Sequence, residues 1–510
     1  MIVQLYKKIR NLFYNKKNKW KQYYTKTPDK IKYDTGSLID AIMLSATMYP
    51  NNVAIDYYNV QFTYKELIDE IKKCAKSLKR LGIKEDDVVT ICMPNTPESV
   101  IMFYAINMVG AVANMIHPLS SEKEIEFYLN KSESKIILTI DITYFKVINV
   151  IENTKIEKVI VTSATKSMGL IVDCAYWLFK GRKEVLKDDK VLTWDKFIKV
   201  GTYYNEEYYI KRNANDLAII LYSGGTTGKP KGIMLSNLSF NAGAIQSRYM
   251  SDTMKPGNSF LTILPNFHAF GIGISTHTPL YNGMRIILVP KFDMKKFGKI
   301  IKKYKPNVIA GVPSLYDALT KTKLNKKDII GIPFPNCTYK IISPETHKEL
   351  GIDEDGEICI NGPNVMLGYL NEPEETANTL IKHTDGKIWL HTGDVGCIDK
   401  DGLLYFKSRI KRMYITNGYN VYPSYIEEIL KQHESIYMAA VIGIPHPYKG
   451  EVGKCFIVLN EGLKPTFEIK KSINKHLKKN LASYAIPKEF VYVDSLPMTL
   501  VGKVSYKDLK

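Results

Sequence analysis

Apolar runs rich in β-branched residues alternate with helical periodicities along the N-terminal half of the chain. Val88–Met93 precedes the helical stretch Pro97–Val109, Lys135–Ile140 precedes Tyr144–Thr154, and Val159–Thr162 reads as a further strand. Short apolar strands separated by 3.6-residue periodicity predict β-α units, hence a parallel sheet covered by helices. The rhythm returns in Ser259–Leu264, Arg285–Val289 and Asn307–Gly311, and Leu217–Tyr222 reads as another strand. From Gly356 onward the pattern shifts to short alternating strands. Turns such as Asp399-Lys400-Asp401-Gly402 and Thr416-Asn417-Gly418 supply the residues that tolerate tight reversals. Beyond a boundary near Arg409–Arg412 follow a helix near Ser424–His433, strands at Ala439–Gly443 and Cys455–Leu459, and a Lys-rich helix Thr466–Asn480. These suffice for a small α+β domain.

Composition narrows the class. A chain of 510 residues, 45% apolar and 24% charged, is a folded protein of roughly two to four domains. Lys and Arg number 71 against 52 Asp and Glu, a formal charge of +19. Lysines are spread along nearly the whole length, as in a general compositional bias, so no nucleic-acid partner is expected. Two places are denser. Lys7–Lys26 interleaves Lys and Arg with aromatic residues, either as a solvated helix or as a peripheral membrane contact. Met168–Lys183 is apolar with a basic end and too short to span a bilayer; it reads as a buried helix or a membrane-touching acyl entrance. The seven cysteines are scattered with no C-x-x-C pair, which points to reduced thiols and a cytoplasmic address. The start carries no signal-peptide pattern, and no apolar stretch reaches membrane-spanning length.

The most specific chemistry follows the strand Leu217–Tyr222. The run Tyr222–Gly232 reads Y-S-G-G-T-T-G-K-P-K-G. Gly224, Gly225 and Gly228 allow the backbone close to an anion, Ser223, Thr226 and Thr227 offer hydroxyl donors, and Lys229 adds charge. A polyphosphate is the ligand this chemistry suits, with a plain flexible loop as the alternative. A Walker loop is excluded, because Gly228-Lys229 is followed by Pro230 where Ser or Thr is required. Further along, Asp394 follows Gly393 in a tight turn and offers two acceptors, while Arg409 is a forked donor. Each alone is equally a turn aspartate or a surface arginine. His268, among Phe267, Phe270 and Gly271, is either a hydrogen-bonded core histidine or a pocket residue.

The glycine-rich run resembles the phosphate-binding signature of the adenylate-forming superfamily of acyl-CoA synthetases, luciferases and peptide-synthetase adenylation domains. Further motifs of that family follow in order: Leu264-Pro265-Asn266-Phe267-His268, Gly356-Glu357-Ile358 through Gly368-Tyr369, His391-Thr392-Gly393-Asp394, Ser408-Arg409-Ile410-Lys411-Arg412, and Leu496-Pro497-Met498-Thr499 with Gly502-Lys503. The resemblance implies an α/β fold: a large N-terminal domain of helix-covered, mainly parallel sheets with a small β-barrel-like part, then a small mobile α+β C-terminal domain. It divides the chain into a basic extension 1–35, an AMP-binding domain 36–409 and a C-terminal domain 410–510. It also implies a fatty-acid–CoA ligase using ATP, Mg2+ and coenzyme A, with Ser223–Lys229 on the phosphates and Asp394 and Arg409 on the ribose. His268 would line the acid pocket and Lys503 would bridge the α-phosphate and the attacking carboxylate. Lys411 would be the hinge, and Gly418 would meet the pantetheine arm. Arg412 stands where similar proteins more often carry an acidic residue, a departure on which no reading of the hinge is rested.

One stretch departs from the family. Between Gly311-Val312-Pro313-Ser314-Leu315-Tyr316 and Gly331-Ile332-Pro333-Phe334-Pro335 similar enzymes place several dozen residues, including a Tyr-Gly-x-Thr-Glu motif that stacks on adenine and helps hold magnesium. This chain has no such motif; K-T-K-L-N-K-K-D-I-I stands in its place, leaving the metal carboxylate absent and the region near 324–331 shortened. Loss of strands there is expected to leave a sheet edge unpaired. A non-catalytic nucleotide-binding scaffold is therefore the competing reading.

Overall fold

The computed structural model describes residues 19–24, 27–28, 30–163, 165–169, 172, 189–222, 230–290, 294–311, 329–344, 346–416, 419–481, 485–499 and 504–509. Four sheets organise them. The largest orders its strands as Gly368–Tyr369, Gly232–Ser236, Leu217–Tyr222, Val112–Met115, Val88–Cys92, Ile136–Ile140, Lys158–Thr162 and Val191–Thr193. From Leu217–Tyr222 onward every neighbour is parallel, as the β-α rhythm predicts. The second sheet holds Ser259–Thr262, Arg285–Leu288 and Val53–Tyr57 in parallel, with Val60–Thr63 and Val308–Ile309 at its edges.

The helix Pro97–Met108 is buried along its whole length between these layers. An apolar, fully enclosed segment is what a helix sandwiched between two sheets requires. Thr96 caps it by accepting from Ser99 N–H, and Pro97 at its first position fits the preset φ. Glu98 on this helix is fully buried, its carboxyl pushed up by desolvation while Ser167 Oγ donates to it at 2.6 Å. A cavity of about 400 Å³ opens beside it, lined by Phe62, Ile101, Ser167 and Trp194. It contains neither His268 nor Asp394 and is not the candidate site.

The third sheet is antiparallel: Ile329–Gly331, Leu404–Arg409, Ile388–Ile398, Gly356–Asn361 and Thr338–Ile342 in order, with Leu380–Lys382 added to Ile388–Ile398. The fourth belongs to the C-terminal part, where the long hairpin Ile436–His446 and Gly450–Leu459 packs under Pro423–Lys431 and Phe467–Asn480. The strand Leu404–Arg409 is followed by a single 3-10 turn, Ile410–Arg412, that leads into the small domain.

Several expectations needed revision. Tyr144–Thr154 is not one helix; it stops at Ile148, turns through Asn149 and Val150, and resumes as a 3-10 turn at Ile151–Asn153. Neither piece has a side-chain cap, and the two asparagines favour turns over helix interiors. Asn307–Gly311 contracts to the two-residue strand Val308–Ile309, which pairs in parallel with Phe260–Leu261. The described end of the basic extension is a short 3-10 helix, Lys19–Tyr23, exposed except at Trp20. Trp20 is buried against Tyr339 with ring centroids 4.8 Å apart, and Tyr24 OH donates to the Pro333 carbonyl at 2.6 Å. The run Met168–Lys183 lies almost wholly outside the described residues. No helix among the described residues is long and apolar enough to cross a membrane. Cys174 also lies outside them, and the other six cysteines are free thiols.

His277 sits at the centre of this scaffold, fully buried, with Tyr104 OH 3.1 Å from Nδ1 and Asn241 Oδ1 2.9 Å from Nε2. Both partners suit a neutral ring, and burial lowers its pKa to about 3. Unfolded, the same ring titrates near the ordinary value, so between about pH 6.5 and 3 only the unfolded chain takes up this proton. Stability is fully present above that window and falls through it by up to about 1.4 kcal/mol per pH unit. Denaturant melts from pH 7 to 4 should show a weaker acid dependence for His277→Gln than for the wild type.

Candidate functional site

The carboxyl ends of the two parallel sheets meet at the loop Leu264–His268, the position where open α/β sheets bind ligands. Asn95, just past the strand Val88–Cys92, holds this loop: its Nδ2 donates to the Leu264 carbonyl and its Oδ1 accepts Asn266 N–H, both at 2.9 Å. Thr276 Oγ1 then donates to Asn266 Oδ1 at 2.8 Å. The chain leaves the loop through a π-helical segment, Phe270–His277, whose first glycine is sterically required. A Cβ on Gly271 would lie 1.9 Å from the Pro265 carbonyl oxygen.

His268 is half-buried and packs on Phe267 at 4.8 Å between ring centroids. His117, from the end of the neighbouring sheet, packs on Phe267 at 4.3 Å. Burial, and then the charge of His268, hold His117 below its ordinary pKa. His117 is a site residue that sequence reasoning missed; its place in I-H-P-L directly after the strand Val112–Met115 was the available signal.

Asp394 and Arg409 are brought together as a cross-strand pair between Ile388–Ile398 and Leu404–Arg409. Arg409 Nε lies 2.9 Å from Asp394 Oδ1, and its side chain is 56% exposed, leaving the guanidinium accessible from outside. The local backbone explains how Asp394 is presented. The pairs Glu357↔Val395 and Cys359↔His391 frame a bulge in which Ile358 alone faces Thr392, Gly393 and Asp394. Bulges re-aim side chains beside functional sites. Thr392 Oγ1 donates to the Ile358 carbonyl at 2.7 Å and accepts Asp394 N–H at 3.1 Å. Gly393 sits at φ +70°, a left-handed conformation that a glycine adopts without cost.

Beside the bulge, His391 Nδ1 donates to Glu357 Oε2 at 2.7 Å, and its Nε2 faces His383 Nε2 at 2.9 Å. Burial, aided by Lys340 and His391, lowers the His383 pKa. Glu357, Cys359 and His391 are the one group of metal-type donors that converges among the described residues, within 4.8 Å of one another. Burial pushes the Cys359 thiol up to about 12. A buried set with sulfur and imidazole does not fit magnesium, which takes oxygen ligands and keeps several waters.

The glycine-rich residues Ser223–Lys229 lie outside the described residues, as do Gly418, Gly502 and Lys503. Their flanks are defined. Tyr222 pairs with Gly232 across an antiparallel junction, so the signature connects two adjacent strands of the main sheet. Met498 and Val504 bridge on either side of the Lys503 segment. The Lys411 backbone lies in the 3-10 turn between the sheets, its side chain outside the described residues. Arg412, where the chain departs from the family pattern, is engaged with the small domain. Its Nη2 donates to Glu427 at 2.6 Å, its Nη1 reaches Ser424 at 3.4 Å, and its guanidinium stacks on Tyr506 at 3.6 Å. Arg409 is held on one side of Lys411 and Arg412 on the other.

Comparison with known proteins fixes the class. The AMP-binding enzyme family model matches residues 44–329 and 320–370, and the AMP-binding enzyme C-terminal domain matches 425–503. The chain belongs to the AMP-binding, adenylate-forming enzyme family. It is similar to a long-chain-fatty-acid–CoA ligase of Bacillus subtilis, 30% identical over 543 residues that cover 95% of this chain and 96% of the relative. A 4-coumarate–CoA ligase of Petroselinum crispum is 27% identical over 88% of each chain. Among solved structures, ATP-bound MatB of Rhodopseudomonas palustris superposes with a TM-score of 0.75 at 23% identity, covering 91% of this chain and 97% of its own. An o-succinylbenzoate–CoA synthetase of Bacillus subtilis, in complex with its acyl-adenylate intermediate, gives 0.76 at 21% identity over 94% and 99%.

Proposed function

We propose that this chain activates a medium- or long-chain fatty acid with ATP and transfers the acyl group to coenzyme A. The observation that carries this reading is the Thr392–Asp394 bulge with Arg409 across from it, in a chain that aligns nearly end to end with acyl-CoA ligases. The end-to-end similarity to long-chain ligases supports the fatty-acid choice.

In the first half-reaction a carboxylate oxygen bonds to the α-phosphorus of ATP and the bond to the bridging oxygen breaks, releasing pyrophosphate. The Ser223–Lys229 segment cradles the phosphates, Asp394 accepts from the ribose hydroxyls, Arg409 orients that carboxylate, and His268 with His117 borders the acid. Lys503 faces the charge that develops between carboxylate and phosphate. In the second, the small domain turns about Lys411 and brings the Gly418 segment to the pantetheine arm. The thiol sulfur then bonds to the acyl carbon as AMP leaves and the thiol proton is lost. Magnesium supplies charge neutralisation on the phosphates in this chemistry, and no described residues form an oxygen cage for it. The six free thiols support a cytoplasmic setting.

A second reading, a catalytically silent nucleotide-binding scaffold, draws on one feature. The chain carries no Tyr-Gly-x-Thr-Glu motif, and the family model matches it in two pieces, 44–329 and 320–370, which supports the loss of a wall of the adenine pocket. Incubation with ATP, coenzyme A and saturated acids of graded length, followed by mass spectrometry, separates the two. Thioesters favouring the longer acids are expected; folded protein yielding none with any acid removes the ligase reading.

A further inference from the structure

Glu357 uses its two carboxylate oxygens on two different elements of the ribose-side bulge. Oε1 accepts Gly393 N–H at 3.0 Å and Oε2 accepts His391 Nδ1–H at 2.7 Å. His391 is the strand residue at which the bulge begins and Gly393 is its middle. The carboxylate and imidazole are shielded, with side chains 13% and 11% exposed, so water competes weakly for these bonds. On the other side of the ring, Nε2 shares a proton with His383 Nε2 across 2.9 Å, a contact that fixes the ring plane from its far side. Lys340, Asp385 and Trp389 surround this outer histidine: Trp389 Nε1 donates to Asp385 Oδ2 at 3.0 Å, and Lys340 Nζ lies 4.0 Å above the indole. The end point of this chain of contacts is the conformation of Gly393, and Asp394 is the next residue.

We infer that Glu357 is a positioning residue for ribose recognition, holding the Gly393 turn so that Asp394 meets the nucleotide hydroxyls. The inference rests on the ligase reading for Asp394 but not on turnover. Backbone at positive φ inside a bulge has neighbouring conformations of similar energy, and a charged acceptor bonded to both its amide and its flanking ring selects one of them. Cys359, on the same face, contributes bulk that closes the floor beneath His391.

Glu357→Gln keeps the side-chain size but offers a single acceptor oxygen, so it cannot serve both donors. Calorimetric binding of ATP and of 2′,3′-dideoxy-ATP to the full chain reads the effect without catalysis. The wild type is expected to prefer ATP by roughly tenfold or more, the scale of hydrogen bonds to a charged acceptor. In Glu357→Gln that ratio should fall toward one, through lost ATP affinity, with dideoxy-ATP binding unchanged. Glu357→Asp, too short to reach both donors, should behave alike if the glutamine variant does not fold. An unchanged ratio in a folded variant overturns the inference alone, as does an equal loss for both nucleotides. Wild-type protein with no preference, or with no binding, overturns the inference and the ribose role of Asp394 together.

Discussion

Lys503→Ala is expected to slow acyl-adenylate formation by roughly 10²–10³-fold while leaving thioester formation from supplied acyl-adenylate nearly untouched. The asymmetry follows from where charge develops. In adenylation the α-phosphate and the incoming carboxylate are both anionic, and a lysine placed between them interacts more strongly in the transition state than before it. In thioester formation the bond being broken is at the acyl carbon, and the proposed turn of the small domain takes the lysine away from it. Stopped-flow or quenched measurements of the two half-reactions check this. A uniform fall in both, or no fall in the first, would remove Lys503 from this role.

Asp394→Ala should lower ATP affinity by roughly ten- to a hundredfold, because the ribose loses a charged acceptor and Arg409 loses the partner that orients it. Its effect on stability should be small by comparison. Arg409 is more than half exposed, and an ion pair in that setting contributes on the order of 1 kcal/mol or less. Equilibrium nucleotide binding set beside a thermal melt distinguishes the two: a large drop in melting temperature with unchanged ATP affinity would assign Asp394 to the sheet instead of the ligand.

Local pattern carried the reading wherever one element decided its own structure. Leu217–Tyr222 is a strand with the bounds its apolar run predicts, and the hairpin turn at Asp399–Gly402 closes where Asp-Gly chemistry places it, with Gly402 at φ +84°. Glu357 and His391 stood in quoted motifs without a role, because they lie 34 positions apart and meet only through a strand register that a two-residue bulge has shifted. No periodicity encodes such a bulge. The same holds for Arg412. Its departure from the family pattern was legible, but its partners Glu427 and Tyr506 come from a helix and a C-terminal turn that fold against it. Glu427, buried and also accepting Val441 N–H at 2.8 Å, gives the arginine its role there: without it a carboxylate would be left desolvated with no cationic partner. Composition was partial at Trp20. Basic and aromatic residues interleave as for a surface helix, and Lys19–Tyr23 is a 3-10 helix exposed at its other positions, but the indole is buried on the antiparallel sheet, where a Cβ on Gly402 would come within 2.8 Å of the Trp20 amide nitrogen.

The central claim is that the phosphate, ribose and lysine elements assemble a working adenylation site in a chain without a Tyr-Gly-x-Thr-Glu motif. ATP–pyrophosphate exchange on purified full-length protein, across a panel of carboxylic acids, tests it most directly. Acid-dependent exchange above the Lys503→Ala background is the expected result; folded wild-type protein that binds ATP but shows no exchange with any acid would contradict it.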